Sequence, residues 1–173
     1  MPGGPLGQAG DVDGTVALRT ARPEHLPVVA ELRWRWWQET GRVPAVSQGE
    51  FVRRFVDWAR QNADSHRCTV LLRGGTVIGM AWLAITHRVP HPGAVERSSG
   101  DVQCVYVVPE ERRAGLGGRL IAAVLAQARE LGIERLVVHS SDRAIPAYER
   151  SGFAVSERLL QNDISRPREA GLP

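Results

Sequence analysis

The sequence predicts an α/β fold of the α+β type, in which helices flank a mixed β-sheet. Two observations carry this prediction. Segments with apolar residues at every second position alternate with segments whose apolar residues recur every three to four positions, in the order β-α-α-β-β-β-α-β-α-β. The chain also has 173 residues, of which 43% are hydrophobic and 24% charged, and this is ordinary for one globular domain.

The first half of the pattern consists of a strand, two helices and a hairpin. In chain order these elements are predicted at Val16–Thr20, Pro23–Thr40, Gln48–Gln61, Cys68–Leu72 and Val77–Ile85. Pro23 suits the first turn of the first helix, and Gly41 lies just past its end. The second helix carries its apolar residues along one stripe from Phe51 to Ala59. A Gly-Gly pair between the two strands indicates a tight hairpin turn.

The second half of the pattern contains a loop, three strands and two helices. In chain order they are predicted at Arg88–Gly100, Asp101–Val108, Gly115–Leu131, Arg135–His139, Pro146–Ser151 and Phe153–Leu160. The long helix is the most regular element, because its apolar residues from Leu116 to Leu131 face one way and Gly132 closes it. Pro109 ends the strand that precedes it.

The two ends of the chain lack the periodicity of the middle. Residues 1–14 are expected to form a flexible leader and residues 162–173 a flexible tail, which leaves residues 15–161 as the domain. No apolar run approaches the roughly 18 residues of a membrane span, and the first residues lack the basic start of a signal peptide. Two cysteines are too few for a disulfide scaffold, so we expect a cytoplasmic protein with no membrane partner.

All 22 cationic side chains are arginines, because the sequence contains no lysine. This excludes Schiff-base chemistry on a lysine, a P-loop and a lysine general base. The formal net charge of +3 is a mild surplus, and the arginines are spread along nearly every element, so no nucleic-acid partner is expected. The five histidines and two cysteines show no metal-ligand spacing, and no metal site is predicted.

The most informative segment joins the fourth strand to the long helix. It holds Arg112, Arg113, Gly115, Gly117 and Gly118, and no Ser, Thr, Asp or Asn caps the helix that begins there. The first amides of a helix carry partial positive charge, and glycines let a ligand approach the backbone closely. The turn therefore predicts a phosphate site. The alternative is a glycine-rich turn that only packs the helix tightly against the strand.

This turn and a later segment resemble motifs of the GNAT superfamily of acyl-CoA-dependent N-acetyltransferases. The family's pyrophosphate motif, Arg/Gln-x-x-Gly-x-Gly/Ala, is met by Arg112–Gly117, and its Tyr-Glu-x-x-Gly-Phe segment is met by Tyr148–Phe153. The resemblance covers about residues 15–160. It implies a GNAT-like, mostly antiparallel mixed sheet of six to seven strands flanked by about four helices.

The resemblance also implies acetyl-CoA as co-substrate and direct attack by a primary amine of a small molecule, an amino-acid derivative or a peptide. Tyr148 matches the position of the family's general acid, and Asp101 lies near the carboxylate base of many relatives. The residues that match the family's coenzyme site are Val107, Val108, Arg112, Arg113, Ala114, Gly115, Leu116, Gly117, Gly118 and Arg119. A backbone N–H in the fourth strand would also stabilise the oxyanion. A monomer or a homodimer is expected.

The identity of the general base stays open at this point. Asp142 and His139 compete with Asp101, although a capping aspartate and a structural histidine are the more ordinary interpretations of those two residues. His87 and His91 lie in the loop before the fourth strand and could line the acceptor mouth. Surface histidines in loops are nevertheless common.

The first helix carries a tryptophan cluster that has two interpretations. Trp34, Trp36 and Trp37 are either core residues or a site for an aromatic or cationic acceptor, and Glu39 beside them is interpreted as solvated. Cys104 is not expected to carry an acetyl group, because it lies in an apolar strand without a partner base. The competing functions are transfer of a longer acyl chain and a non-catalytic acyl-CoA-binding regulatory module.

Overall fold

The computed structural model describes residues 15–162 and residue 164, and this part of the chain forms one five-stranded sheet with four α-helices. The strands are β1 (Val16–Thr20), β2 (His66–Arg73), β3 (Thr76–His87), β4 (Ser98–Val107) and β5 (Arg135–Val138). The helices are α1 (Leu26–Glu39), α2 (Gln48–Gln61), α3 (Leu116–Glu130) and α4 (Ile145–Arg150). The predicted leader and nearly all of the predicted tail lie outside the described residues.

The strands lie in the sheet in chain order, β1-β2-β3-β4-β5. The first four strands run antiparallel to their neighbours, and β5 runs parallel to β4. A parallel neighbour requires a crossover, which α3 supplies, whereas antiparallel neighbours need only a turn. The prediction of a mixed, mostly antiparallel sheet flanked by four helices is confirmed.

The predicted strand count of six to seven is wrong for the described residues, which form five strands. The strand expected at Phe153–Leu160 is absent, and those residues run as loop and turn without a ladder partner. Val155 and Leu160 are each 90% exposed. Alternating apolar residues form a strand only where a neighbouring strand completes their backbone hydrogen bonds, and none pairs with this segment in the part of the chain that is described.

Helices cover both faces of the central strand β3. Its residues from Val77 to Ala84 are all buried, without the alternation of a strand that has one solvated face. Helix α1 packs against α2, α3 packs against α4, and both α1 and α3 contact β3 and β4. Leu120, Ile121 and Val124 of α3 are almost fully buried, as the regular apolar stripe predicts.

An aromatic cluster fastens α2 to the sheet. Phe55 and Trp58 of α2 meet Trp82 of β3 with ring centroids 5.7 and 5.6 Å apart. Trp58 also packs edge-on against His66, with centroids 4.9 Å apart. Edge-on and tilted ring contacts add to the free energy gained by burying apolar surface. The apolar stripe predicted for the second helix therefore faces the sheet.

A β-bulge interrupts β4 at Cys104. Between the Trp82–Gln103 pair and the Met80–Tyr106 pair, one residue of β3 faces two residues of β4. Cys104 adopts a left-handed φ of 53°, which is uncommon for a residue other than glycine. A bulge of this kind bends its strand and re-aims the side chains around it. The sequence contains no sign of it, because cysteine is not a residue that favours this conformation.

The helices in the described part of the chain are short. The longest, α3, has 15 residues, which at about 1.5 Å per residue is less than the roughly 30 Å of a bilayer core. Within residues 15–162 and residue 164, no helix is long and apolar enough to cross a membrane. The same residues bring together no group of three side chains suited to hold a metal ion.

Gly79→Ala is expected to destabilise the protein, because β3 and β4 lie too close together at this position for a methyl group. A Cβ atom at Gly79 would lie 2.8 Å from the carbonyl oxygen of Tyr106 and 3.0 Å from Cδ1 of Leu71. A backbone oxygen cannot rotate away, so the strands must separate, at a cost of about 1–3 kcal/mol in the free energy of unfolding. Urea unfolding measures this cost.

The control for this change is Gly49→Ala in the first turn of α2. A Cβ atom at Gly49 would meet nothing within 4 Å, and alanine favours the helix, so this variant should be neutral or slightly more stable. Equal losses of stability in Gly79→Ala and Gly49→Ala would contradict the steric explanation.

Candidate active site

The ladder between β4 and β5 is short, and a cavity opens where it ends. Pairing extends from Ser99 opposite Arg135 to Val102 opposite Val138. Beyond this point lies a cavity of about 310 Å³, here named the transfer cavity. It is lined by residues of α1, β4, the end of β5, the segment between β5 and α4, and α4, namely Trp36, Asp101, Val102, Gln103, Cys104, Val105, Val138, His139, Ser140, Ser141, Ala144 and Tyr148.

Tyr148 reaches the transfer cavity from α4. Pro146 lies in the first turn of this short helix, and Gly152, with a φ of 91°, follows its end. Phe153 then packs edge-on against the Tyr148 ring, with centroids 5.4 Å apart. Tyr148 is only 8% exposed, yet its hydroxyl makes no hydrogen bond to any described residue. The hydroxyl is therefore available to a molecule in the cavity.

Asp101 and His139 line the same cavity as Tyr148. The Asp101 Oδ2 atom accepts a hydrogen bond from Nε2 of Gln103 at 2.8 Å. Burial raises the pKa of Tyr148 above its ordinary value of 10, and the nearby Asp101 carboxylate adds to the rise. Asp142 is exposed in a short 3-10 turn and does not line the cavity. Of the three bases considered, two are thus brought to the cavity.

Cys104 places its thiol at the transfer cavity through the bulge in β4. Burial raises the pKa of this thiol, and the positive charge of Arg33 offsets the rise only in part. A neutral thiol is a poor nucleophile. That Cys104 does not carry an acetyl group stays a prediction, and the raised pKa of its thiol supports it.

The two histidines around the β3–β4 connection lie away from the transfer cavity. The Nδ1 atom of His91 accepts the Gly93 N–H at 3.1 Å, within its own loop. His87 lines a separate cavity of about 720 Å³, next to Leu131 and Gly132 at the C-terminal end of α3. This second cavity shares no lining residue with the transfer cavity. Neither histidine lines the site as the sequence suggested.

The turn before α3 presents an uncapped helix N-terminus. Gly115 occupies the N-cap position with a φ of 72°, and neither a capping side chain nor an acidic residue in the first turn satisfies the helix amides. A Cβ atom at Gly115, Gly117 or Gly118 would meet no atom within 4 Å, so no described residue crowds these glycines at the Cβ position. Unsatisfied amides at a helix N-terminus beside uncrowded glycines are features that favour binding of a phosphate group.

The three arginines predicted to contact phosphate differ in their partners. Arg112 points away from the turn, since its Nε donates to the Val107 carbonyl at 2.9 Å and its Nη2 to Oε2 of Glu39 at 2.8 Å. Arg119 donates to a carbonyl oxygen of β1 at 2.9 Å. Arg113 is exposed, and within the described residues it makes no hydrogen bond or ion pair. Of these three guanidinium groups, that of Arg113 is therefore the one that binds no other described residue.

Glu39, the last residue of α1, holds the turn in place. The Tyr106 hydroxyl donates to its Oε1 at 2.6 Å, and Arg112 both binds Glu39 and lies over the Tyr106 ring, 5.3 Å from its centroid. Partial burial opposes the charge on Glu39, but hydrogen bonds from Tyr106 and Arg112 outweigh it, so the pKa of Glu39 lies below its ordinary 4.5. Sequence reasoning missed this role, because Glu39 and Arg112 lie 73 residues apart.

Glu39→Gln is expected to lower the free energy of unfolding by about 1–2 kcal/mol at pH 7, because it removes a half-buried ion pair. Since the folded pKa of Glu39 is depressed, this stabilisation is present above pH 4.5 and is lost as the pH falls through the lower folded pKa. The difference between wild type and variant, measured by urea unfolding, should therefore disappear in acid.

The control is Glu24→Gln, because the Arg22–Glu24 ion pair is mostly exposed. This variant should change the free energy of unfolding by no more than about 0.5 kcal/mol. A difference between wild type and Glu39→Gln that does not depend on pH would show that the carboxylate charge is not what stabilises the turn.

The end of β4 turns one backbone N–H away from the sheet. The Val108 N–H donates to the Ile78 carbonyl at 3.0 Å, so the sheet uses it. Neighbouring residues of a strand turn their N–H groups to opposite sides. The Val107 N–H therefore faces away from β3. Of the two valines predicted to contact the coenzyme, Val107 has the donor that is suitably directed.

Comparison with known proteins shows which family this chain belongs to. Residues 26–153, which include both sequence motifs, match the acetyltransferase (GNAT) family. The chain belongs to this family. A glucosamine 6-phosphate N-acetyltransferase from Trypanosoma brucei brucei is 33% identical to it over 90 residues, which are 52% of this chain and 59% of that relative.

The chain is also similar to two further acetyltransferases. An amino-acid acetyltransferase from Pectobacterium atrosepticum is 32% identical over 114 residues, which are 66% of this chain and 23% of that relative. A predicted acetyltransferase from Clostridium acetobutylicum, solved with acetyl-CoA, superposes with a TM-score of 0.70 at 18% identity and covers 87% of this chain and 97% of that one. This superposition shows that the two chains share a fold.

Proposed function

We propose that this GNAT family member is an acetyl-CoA-dependent N-acetyltransferase that acts on a primary amine of a small molecule, an amino-acid derivative or a peptide. The observation that carries the proposal is the relative position of two features. The open N-terminus of α3 follows the end of β4, and the transfer cavity borders the same strand two residues before that end, at Val105. A coenzyme with its pyrophosphate at the turn can therefore extend its thioester arm along β4 into the cavity.

Backbone groups supply most of the proposed coenzyme contacts. The first amides of α3 bind the pyrophosphate, and the glycines at 115, 117 and 118 leave room for it. Arg113 adds a positive charge, and the outward N–H of Val107 pairs with the arm of the coenzyme. Arg112 anchors the turn to Glu39, so it acts as a positioning residue.

Transfer proceeds by direct attack of the amine on the thioester carbonyl carbon. A C–N bond forms, the C–S bond breaks, and the coenzyme thiolate departs. Asp101 or His139 accepts the proton that the amine releases, and Tyr148 donates its phenolic proton to the thiolate. The raised pKa of Tyr148 keeps that proton in place at neutral pH, and the same buried surroundings make the thiolate more basic. Solvent then reprotonates the tyrosine.

Isothermal titration calorimetry with acetyl-CoA, followed by a thiol-release screen against primary amines, tests the proposal. The expected result is coenzyme binding with one site per chain and thiol release that depends on the amine. Absence of coenzyme binding would overturn the proposal. Binding without release on any amine would instead indicate an acyl-CoA-binding regulatory module, and longer acyl-CoA donors in the same assay report the acyl preference.

A further inference from the structure

A further cavity, distinct from the two described above, lies between α1 and the connection to α2, and we name it the aromatic pocket. Its volume is about 260 Å³, and it is lined by Arg33, Trp34, Trp37, Phe51 and residues 44–46. The Trp34 and Phe51 rings lie with centroids 5.7 Å apart. The pocket is open to the surface, because Ala45 in its lining is exposed. The tryptophan cluster therefore leaves apolar ring surface that a ligand can cover.

Arg33 connects the aromatic pocket to the transfer cavity. Its guanidinium carbon lies 4.5 Å from the centroid of the Trp36 ring. Trp36 and Cys104 both line the transfer cavity, and Arg33 itself lines the aromatic pocket. Among the described residues Arg33 has no carboxylate partner, unlike Arg35 and Arg112. An arginine without a counter-charge at such a junction suits a carboxylate of a ligand.

Trp37 contributes a second unused polar group. Its indole N–H is buried and donates to no acceptor in the described part of the chain, although buried donors are nearly always paired. The Arg42 guanidinium carbon lies 5.7 Å from the centroid of the Trp37 ring. Aromatic walls and nearby arginines together describe a site for a molecule with apolar surface and anionic oxygens.

On the premise of the proposed function, we propose that the aromatic pocket is the acceptor subsite and that the preferred acceptor is an α-amino acid with a large apolar side chain. The side chain fills the pocket, the carboxylate pairs with Arg33, and the amine extends past Trp36 toward Asp101 in the transfer cavity. An α-amino acid suits this arrangement because its amine and carboxylate lie close together, and the Arg33 guanidinium lies over the ring of Trp36, which lines the transfer cavity.

Four acceptors separate the contribution of the apolar side chain from that of the carboxylate. They are L-phenylalanine, L-alanine, L-phenylalaninamide and phenethylamine. We expect kcat/KM for phenylalanine to exceed that for alanine by about tenfold or more, because only the larger side chain fills the pocket. It should exceed the values for phenylalaninamide and phenethylamine by about tenfold or more, because these lack the carboxylate. Equal values for phenylalanine and alanine, or for phenylalanine and phenethylamine, would overturn the proposal.

Arg33→Gln isolates the carboxylate contact. The expected result is a loss of about tenfold or more in kcat/KM for phenylalanine, mainly through KM, with no loss for phenethylamine. Arg53→Gln, on the exposed side of α2, is the matched control and should leave both values unchanged. A proportional loss for both acceptors in Arg33→Gln would indicate a structural role and overturn the proposal.

Ala45→Phe keeps the proposal falsifiable if Arg33→Gln fails to fold. Ala45 lies exposed in the connection between α1 and α2 and lines the pocket, so a phenylalanine there fills the space without removing a contact. We expect a selective loss of activity on phenylalanine and retained activity on alanine. An unchanged ratio of the two activities would overturn the proposal.

Failure of this inference is distinguishable from failure of the proposed function. If acetyl-CoA does not bind, the proposed function fails and the inference fails with it. If acetyl-CoA binds and amines without an apolar side chain or a carboxylate are acetylated more efficiently, the proposed function stands and the inference is overturned. Binding of acetyl-CoA with no transfer to any of the four acceptors overturns the inference as well.

Discussion

Gly117→Glu is expected to abolish acetyl-CoA binding while the folded protein stays at least as stable as the wild type. The new carboxylate would lie in the first turn of α3, in front of the amides assigned to the pyrophosphate. Two like charges about 4 Å apart repel by about 4 kcal/mol at an effective dielectric constant of about 20, which corresponds to about a thousandfold loss of affinity. The same carboxylate favours the helix N-terminus, and glutamate has a higher helix propensity than glycine.

Calorimetry with acetyl-CoA measures the loss of affinity in Gly117→Glu, and thermal unfolding without acetyl-CoA measures its stability. The matched control is Gly49→Glu, because Gly49 holds the same position in α2 and its Cβ would also meet nothing within 4 Å. There the side chain of Ser47 already caps the helix, and no phosphate site is assigned. Wild-type affinity for acetyl-CoA in Gly117→Glu would show that the pyrophosphate binds elsewhere.

Tyr148→Phe is expected to lower kcat by about 10²–10⁴-fold and to leave the Kd for acetyl-CoA nearly unchanged. The variant loses only the phenolic proton donor, because the ring keeps its contact with Phe153. Stability should change little, since the hydroxyl has no hydrogen-bond partner among the described residues. In the wild type, the acid form of Tyr148 is required, so on the alkaline side of the pH profile kcat should fall as the pH rises through the raised pKa of Tyr148, above 10.

The other tyrosine of the chain provides the control for this variant. The Tyr106 hydroxyl donates to Glu39, and Tyr106 does not line the transfer cavity. Tyr106→Phe should therefore lower the free energy of unfolding by about 1 kcal/mol without lowering kcat at saturating acetyl-CoA. Equal kcat values for wild type and Tyr148→Phe would remove Tyr148 from the mechanism.

The elements that could be predicted from the sequence are those whose own residues create the pattern. Helix α3 is the clearest case, because its apolar stripe and the flanking Gly115 and Gly132 define it locally. The uncapped start of α3 could be predicted for the same reason. The strand predicted at Phe153–Leu160 had a local pattern too, but a strand also needs a neighbour, and the pattern does not contain one.

The parts of the site that could not be predicted depend on residues far apart in the chain. The bulge at Cys104 arises from the register between β3 and β4, and the Glu39–Arg112 pair joins α1 to the turn. The assignment of Arg33 to a junction between two cavities requires the packing of α1 beside β4. Periodicity describes one element at a time, so it holds no information on these contacts.

The five tryptophans are intrinsic fluorophores that lie at different places in the fold. Trp36 borders the transfer cavity, and Trp34 and Trp37 border the aromatic pocket. Trp58 and Trp82 lie instead in the cluster between α2 and the sheet. Indole emission thus comes from two populations, one beside the cavities and one in the packing between helix and sheet. Ligand arrival and loss of the fold can then be followed in one unlabelled sample.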